Sequence, residues 1–462
     1  MQNKSANPYL TTPIGPLFAR TALPIVLIMI INGLFTVVDA LFLGLYAGAQ
    51  ALTAVTLTFP ISMLMIALTT MVGGGMASLV ARALGAHDKD TAQAIFISAH
   101  ALALAVSIAL AILFALFGWP LIEAASGHDA GLAEQGWRFM AISIYFAPVS
   151  FLLSVQGDAL RSEGKAGLMA IIAVAATLLN IVFNYVLIGL MHYGTAGSAA
   201  GTIAAQALSL IIVAGMRFSG RLPLGFVMPH GARLTEAWGP ITRLGLPPSL
   251  SFAGIALSST AIIANVQMWS GSEYAATIAA YGVINRILTF AFLPLLGLNL
   301  ASQSIVGNNF GARAYARSDA TFTLTLAIAV IYAALLEATL LFFPAQIGRM
   351  FVDDATVIAE IERIVPLIVL TYVILMPISV IAGYFQALGN ARMSGFLSLT
   401  KPYLMQVPLA FALPYLIGER GIWLAGPFGD VIMLVLVLVV LSNISRRSGA
   451  RFGLFYADKA ST

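Results

Sequence analysis

Asn32-Gly-Leu-Phe-Thr-Val-Val-Asp39-Ala-Leu-Phe-Leu-Gly44 sets one carboxylate inside an otherwise uncharged apolar run from Leu23 to Tyr46. A run of that length, about 20 residues or more, is what an α-helix needs to cross a bilayer. An aspartate at such depth costs at least about 2.5–3.5 kcal/mol, and membrane segments that keep one generally use it. On a helix, Asn32, Thr36 and Asp39 stand at i, i+4 and i+7 and share a face, while Ile30, Leu34, Val37 and Leu41 form the opposite, greasy one. Asp39 precedes Tyr46 by seven residues, about 10 Å along the axis, too deep for so short a side chain to reach the interface. A carboxylate there can load a proton on one side of the membrane, release it on the other, and attract a cation while charged.

The rest of the chain agrees with a membrane setting. Its 462 residues are 60% hydrophobic and only 9% charged, with a mean hydropathy of +0.94. A soluble domain carries about 25% charged residues, so the length does not imply several soluble domains. There are no cysteines, which excludes disulfides, thiolate metal sites and a cysteine nucleophile. The polar stretch Met1 to Arg20, with Pro8, Pro13 and Pro16, lacks the pattern of a cleaved signal peptide and reads as a short cytoplasmic leader.

Apolar runs long enough to span occur at 22–46, 52–81, 92–118, 137–160, 167–191, 196–218, 240–268, 276–306, 319–344, 355–388, 395–417 and 422–445, twelve in all. Cytoplasmic loops collect Lys and Arg, which tests the count. With the N-terminus inside, only Arg138, Arg349, Arg363 and Arg420 of the 23 basic residues fall outside; Arg286 lies within a span, and the remainder, Lys401 among them, are assigned to the inner side. Both termini are therefore expected in the cytoplasm.

The longest polar connection, about Gly220 to Trp238, divides the chain near its midpoint, and the two halves repeat one another. Gly75-Met-Ala-Ser78-Leu-Val80 through Gly85-Ala86 aligns with Ala301-Ser-Gln-Ser304-Ile-Val306 through Gly311-Ala312; Gly164-Lys aligns with Gly389-Asn, and Leu23-Pro24 with Leu246-Pro247. Six spans per repeat give both halves one topology, so the axis relating them runs along the membrane normal, as in transporters built from parallel repeats. The expectation is an all-α integral membrane protein of twelve transmembrane helices in two six-helix lobes, 1–225 and 226–462, related by a pseudo-twofold axis.

Together these residues carry a resemblance. The two six-span repeats, the Leu-Pro pairs, Val-Asp39-x-x-Phe-Leu-Gly44, the Gly85-Ala86 and Gly311-Ala312 turns, and Asn180-Ile-Val-Phe-Asn184 followed by Gly197-Ser-Ala-Ala-Gly-Thr202 resemble the multidrug and toxic compound extrusion (MATE) family, in its DinF-like branch, over essentially the whole chain. The resemblance implies a transporter of the bacterial inner membrane, with both termini cytoplasmic, that expels organic, often cationic compounds in exchange for protons or sodium. It also implies that Asp39, Asn180, Asn184 and Thr202 couple the ion, although Asn184 stands where that branch often has an aspartate. The acids that a NorM-like branch places on spans 7 and 10 have no counterpart. Both departures concentrate the coupling on Asp39. No cofactor is implied beyond H+ or Na+; the partners are the transported compound and lipid, not nucleic acid, and the protein is expected to be a monomer.

The residue pattern points the same way. Asn180 and Asn184 lie one helical turn apart, as do Thr202 and Gln206, so two helices each present a polar pair. Gly194, Gly197, Ala199, Ala200 and Gly201 keep the sixth span thin. Interhelical hydrogen bonding is the plain alternative for these residues, at about 0.6 kcal/mol per pair. Asn32, Thr36, Gln206, Tyr281, Asn285, Asn299 and Gln303 are candidate substrate contacts. Among the other intramembrane polar groups, Glu337 reads as snorkelling or packing, and Asp430, after Gly426-Pro427-Phe-Gly429, as a second acid facing a cleft. Arg286 reads as pairing with an acid or with backbone carbonyls, and His100 as a satisfied core residue. Gly73-Gly-Gly75 lacks the Lys-Ser/Thr of a phosphate loop and reads as helix packing. No zinc pair or nucleophile elbow is present, which disfavours an ATP-driven pump or an enzyme. A flippase of lipid-linked precursors would need a cationic cavity, for which Arg286 and Lys401 are the candidates, and a channel or receptor would show no ion coupling.

Overall fold

The computed structural model describes residues 7–271, 274–448 and 451–455, with the side chains of residues 35–37, 40, 41, 49, 275, 447 and 448 outside that description. Among the described residues the regular structure is helical, apart from one isolated bridge between Arg451 and Phe455. Buried backbone in lipid must satisfy itself, which only helices and closed barrels achieve.

Among the described residues, nine helices are individually long and apolar enough to cross a membrane. Span 1 is Ile14–Phe42, prolonged by a π-helical turn at Leu43–Ala47. Spans 2 and 3 are Phe59–Gly85 and Lys89–Ala125. Span 5 is Ala166–Asn184 with a π-helical end, Tyr185–Leu190, and span 6 is Gly194–Phe218. Spans 7, 8, 9 and 12 are Trp238–Trp269, Tyr274–Gly311, Tyr315–Phe342 and Arg420–Ser448. Two more spans are broken: span 4 is Ala130–Tyr145 plus Ala147–Ser162, bent by 51°, and span 10 is Ala355–Val369 plus Tyr372–Ala387, bent by 52°. Span 11 is cut into Ala391–Leu399, a π-helical Thr400–Gln406, Val407–Ala412 and Pro414–Ile417. Pro402, Pro408 and Pro414 each remove a backbone donor there, so no single piece is long enough alone. The protein is an all-α integral membrane protein with twelve spans, six in each half of the chain.

The repeat is visible in the backbone. The broken spans start at Asp129 and Asp354, offset by 225, and each carboxylate accepts from two successive backbone N–H groups. At Asp354 these bonds, with the Thr356 hydroxyl at 2.6 Å, hold the carboxyl below its ordinary range. Left-handed φ recurs with an offset of 225 or 226: His87 and Arg313 at 58°, Gly164 at 78° and Gly389 at 82°, His192 at 58° and Gly418 at 68°.

Contacts divide the chain into two compact units, one comprising the residues up to Thr11 with Leu23–Ser249, the other Thr12–Ala22 with Leu250 onward. Two of the crossings lie at the repeated Leu-Pro pairs, Leu23-Pro24 and Leu246-Pro247-Pro248. The polar connection after span 6 belongs wholly to the first unit because it is docked there. Gln93 of span 3 takes both the N–H and the carbonyl of Gly225, Trp238 Nε1 donates to the Ser98 carbonyl at 3.1 Å, and Leu224 is fully buried. In the same unit, spans 2 and 7 approach backbone to backbone. A Cβ at Gly75 would lie 2.1 Å from the Ile241 carbonyl oxygen, and one at Gly245 only 1.7 Å from that of Met71. The core around this crossing holds Val72, Met76, Val80, Phe96, Phe151 and Ile241. The core of the second unit is built on Phe322, Met376, Tyr384, Phe385, Met433 and Val437.

Candidate functional site

In the first unit, spans 1, 5 and 6 meet at Asp39. The Asn184 amide donates to Asp39 Oδ1 at 2.7 Å and, through its second hydrogen, to Asn180 Oδ1 at 2.9 Å. Asn180 in turn donates to Thr202 Oγ1 at 2.8 Å. The 3.6-residue period explains the register: Asn180 and Asn184 lie one turn apart on span 5, facing a glycine- and alanine-lined span 6. Gly201 is the point of closest approach, where a Cβ would sit 2.4 Å from Asn184 Oδ1. The structure therefore brings Asp39, Asn180, Asn184 and Thr202 into one hydrogen-bonded chain.

Ser198 completes the cluster and was absent from the sequence-based set. Its hydroxyl lies 3.0 Å from Asp39 Oδ1 and 3.2 Å from Oδ2. The signal for it was available, since Ser198, Thr202 and Gln206 repeat every four residues on span 6. Asp39 is half-buried, whereas Asn180, Asn184 and Ser198 are buried. Asn184 Oδ1 has no hydrogen-bond partner among the described residues. The amide orientation follows from the network, because reversing it would set oxygen against oxygen at both Asp39 and Asn180.

The other expected contacts lie apart from this cluster. Gln206 accepts from Ser150 at 2.5 Å. Asn32 is exposed, about 10 Å from Asp39 along the helix, and the Thr36 side chain lies outside the described residues. Tyr281, Asn285, Asn299 and Gln303 are strung along one helix over about 33 Å, too far to converge on one small molecule. Tyr281 packs on Trp423 at 5.9 Å between ring centroids, Asn299 donates to Ser379 at 3.3 Å, and Gln303 is buried.

Three expectations about the second unit need correction. Asp430 faces no cleft: it is 2% exposed, with Lys401 Nζ at 2.6 Å from one oxygen and the Thr371 hydroxyl donating to the other at 2.7 Å. Lys401 accordingly belongs to the interior of span 11 and is neutralised there rather than lying on the cytoplasmic side. A buried carboxylate in a nearly dry interior requires such a partner. Glu337 neither snorkels nor merely packs, since its carboxylate accepts the Val373 N–H at 2.9 Å and so caps the helix that restarts after the break in span 10. His100 is satisfied on both ring nitrogens, by the Phe96 carbonyl at 2.7 Å and Gln156 at 2.9 Å. Gly73 and Gly75 are packing positions, against Asp158 and Ile241.

The comparisons with known proteins agree with this architecture. The MatE family model matches residues 24–186 and again 247–412. The probable multidrug resistance protein YoeA of Bacillus subtilis is 22% identical over 90% of both chains. The FAD transporter of Shewanella oneidensis is 23% identical over 93% of this chain and 95% of its own, and the multidrug export protein MepA of Staphylococcus haemolyticus 22% over 92% and 93%. Among solved structures, an outward-facing multidrug resistance MATE transporter of the MOP superfamily superposes with a TM-score of 0.85 at 22% identity, covering 94% of this chain and 97% of the other. A MOP superfamily transporter from Pyrococcus furiosus, described as having a binding pocket of reversed polarity, gives the same TM-score, identity and coverage. With both halves matched, the chain belongs to the MatE family of multidrug and toxic compound extrusion transporters, and is a multi-pass membrane transporter rather than an enzyme.

Proposed function

We propose that this protein is a secondary active exporter of the bacterial cytoplasmic membrane, with both termini in the cytoplasm, that antiports organic, often cationic compounds against protons. Asp39 is the coupling carboxylate, exposed alternately to the two sides. The observation that carries this reading is the Asn184 amide, which donates to Asp39 at 2.7 Å while its own oxygen has no partner. Turned over, with Asn180 turning in step so that its amide donates to Asn184 and its oxygen accepts from the Thr202 hydroxyl, the same amide would accept a hydrogen bond from a protonated Asp39, so one neighbour serves both protonation states. An ionised aspartate at position 184 could not donate to the charged form. Asn180, Thr202 and Ser198 hold that amide and that carboxylate in place and tune the exchange. Relatives named as multidrug exporters support the class of cargo.

A sodium-coupled exporter is the second reading, because Asp39, Asn180, Asn184 and Thr202 also supply the hard oxygens that sodium prefers. A flippase of lipid-linked precursors is disfavoured by the neutralisation of Lys401. The test is transport in reconstituted vesicles challenged with a pH gradient, with and without sodium. Uphill dye movement driven by the pH gradient alone is expected. Movement that requires sodium and ignores the pH gradient would replace protons with sodium in this reading, and movement that never runs uphill would end it.

A further inference from the structure

Arg286 lies twelve residues into span 8 from Tyr274, about 18 Å along the axis and further from the helix end than an arginine stem extends. It is exposed, and among the described residues it forms no hydrogen bond or ion pair. Acids of the neighbouring spans 9, 10 and 12 are engaged elsewhere. Asp430 is held by Lys401 and Thr371, and Glu337 is spent on the Val373 N–H. Toward the outer end, Glu360 and Glu419 both close on Arg363, each at 2.7 Å.

Arg286 also has polar company on its own helix face. Gly282, Asn285, Arg286 and Thr289 are all exposed and follow the i, i+3, i+4, i+7 spacing of a single face. Beside Arg286, one turn back, a Cβ at Gly282 would meet nothing within 4 Å, so this face is open. The Asn285 amide, like the guanidinium, has no partner among the described residues. An arginine and an asparagine with unspent donors on an open face at membrane depth are unsuited to lipid tails and belong against water or cargo.

We propose that Arg286, assisted by Asn285, binds an oxyanion, a carboxylate or phosphate. The guanidinium fork matches the two oxygens of such a group. The oxyanion comes either from the transported compound or from a lipid headgroup. This inference rests on the export reading above, and where the cargo supplies the oxyanion it adds compounds bearing an acidic group to the substrate class.

Tetramethylrhodamine and its methyl ester share one ring system and differ in a single carboxylate, which makes them suitable probes in proteoliposomes. If the cargo supplies the oxyanion, Arg286→Gln raises the apparent KM for the free acid about tenfold, the scale of one charge-assisted hydrogen bond. The methyl ester is then unaffected, and Arg286→Lys retains most of the preference. If lipid supplies it, Arg286→Gln slows both dyes alike, and wild-type protein in a phosphate-free galactolipid bilayer shows the same loss. Unchanged transport of both dyes by Arg286→Gln overturns the proposal. So does an equal loss that galactolipid does not reproduce, which would mark a structural arginine. Failure of wild-type protein to move either dye uphill would instead overturn the export reading.

Discussion

At the scale of single residues, everything turns on how the hydrogens around Asp39 are distributed. Both amide hydrogens of Asn184 are spent, one on Asp39 and one on Asn180, which donates onward to Thr202, so the carboxylate is left with the Asn184 amide and the Ser198 hydroxyl as its two donors. Asp39→Asn removes the titratable group while keeping its size, and is expected to reduce pH-driven efflux to background with expression intact; retained drug resistance in cells carrying it would sink the coupling role. Ser198→Ala removes one hydroxyl donor to the carboxylate, a change of about 1.5–3 kcal/mol for a bond to a charged group. It should weaken efflux and shift its pH profile without abolishing it, measured in the same vesicles. Gly201→Ala tests the packing beneath the cluster, since its Cβ would lie 2.4 Å from Asn184 Oδ1 and overpacking typically costs about 1–3 kcal/mol. A lower melting temperature and slower efflux are expected, whereas Gly215→Ala on the same helix, with nothing within 4 Å, should leave both unchanged. Asp39 was legible in sequence as an anomalous charge, and Asn180, Asn184 and Thr202 through the family resemblance, with which their helical spacing agrees. Ser198 was passed over because a small residue in a Gly-Ser-Ala-Ala-Gly run reads as packing, and only the approach of span 1 gives its hydroxyl a purpose.

At the scale of elements, the interruptions hold more information than the regular helix. Broken spans 4 and 10 restart after Tyr145 and Val369, and π-helical segments end span 1, end span 5 and interrupt span 11. Two of these π segments begin within a few residues of Asp39 and Asn184, where a π turn commonly marks a functional position. Apolar windows located the spans but could not show the breaks, because hydropathy does not register which backbone bonds are missing. Buried charge pairs were also unreadable, as their partners are far apart in sequence. Arg217 of span 6 and Glu163 after span 4 meet at 2.8 Å with both side chains fully buried, and Arg217 adds the Leu224 carbonyl at 2.8 Å. Removing one member leaves the other unpaired, at about 3–5 kcal/mol, whereas replacing both with apolar groups is often near neutral. Glu163→Leu and Arg217→Met should each lower the melting temperature in detergent by more than the double variant does. A double variant no more stable than the worse single one would show that the pair holds the connection in place through Leu224 rather than through its charges.

At the scale of the whole molecule, repetition and charge sidedness are separate arguments that meet on one topology. The repeat, weak as sequence identity, becomes firm as backbone: left-handed positions and aspartate caps return with an offset of 225 or 226, and the family model matches each half in turn. Orientation rests on charge alone, because nothing in a helix bundle marks inside from outside except the basic residues that resist translocation. The absence of native cysteines makes this testable without background. Lys89 and Ser219 lie in connections assigned to the cytoplasm, His128 and Met350 in connections assigned to the outside, and all four are exposed. In intact cells stripped of their outer membrane, single cysteines at His128 and Met350 should react with a membrane-impermeant maleimide, and those at Lys89 and Ser219 only after lysis. The reverse pattern would invert the protein and with it the direction of the proton flow proposed for Asp39. Labelling of Lys89 and His128 from the same side would remove a span between them, and the six-per-half count could not survive it.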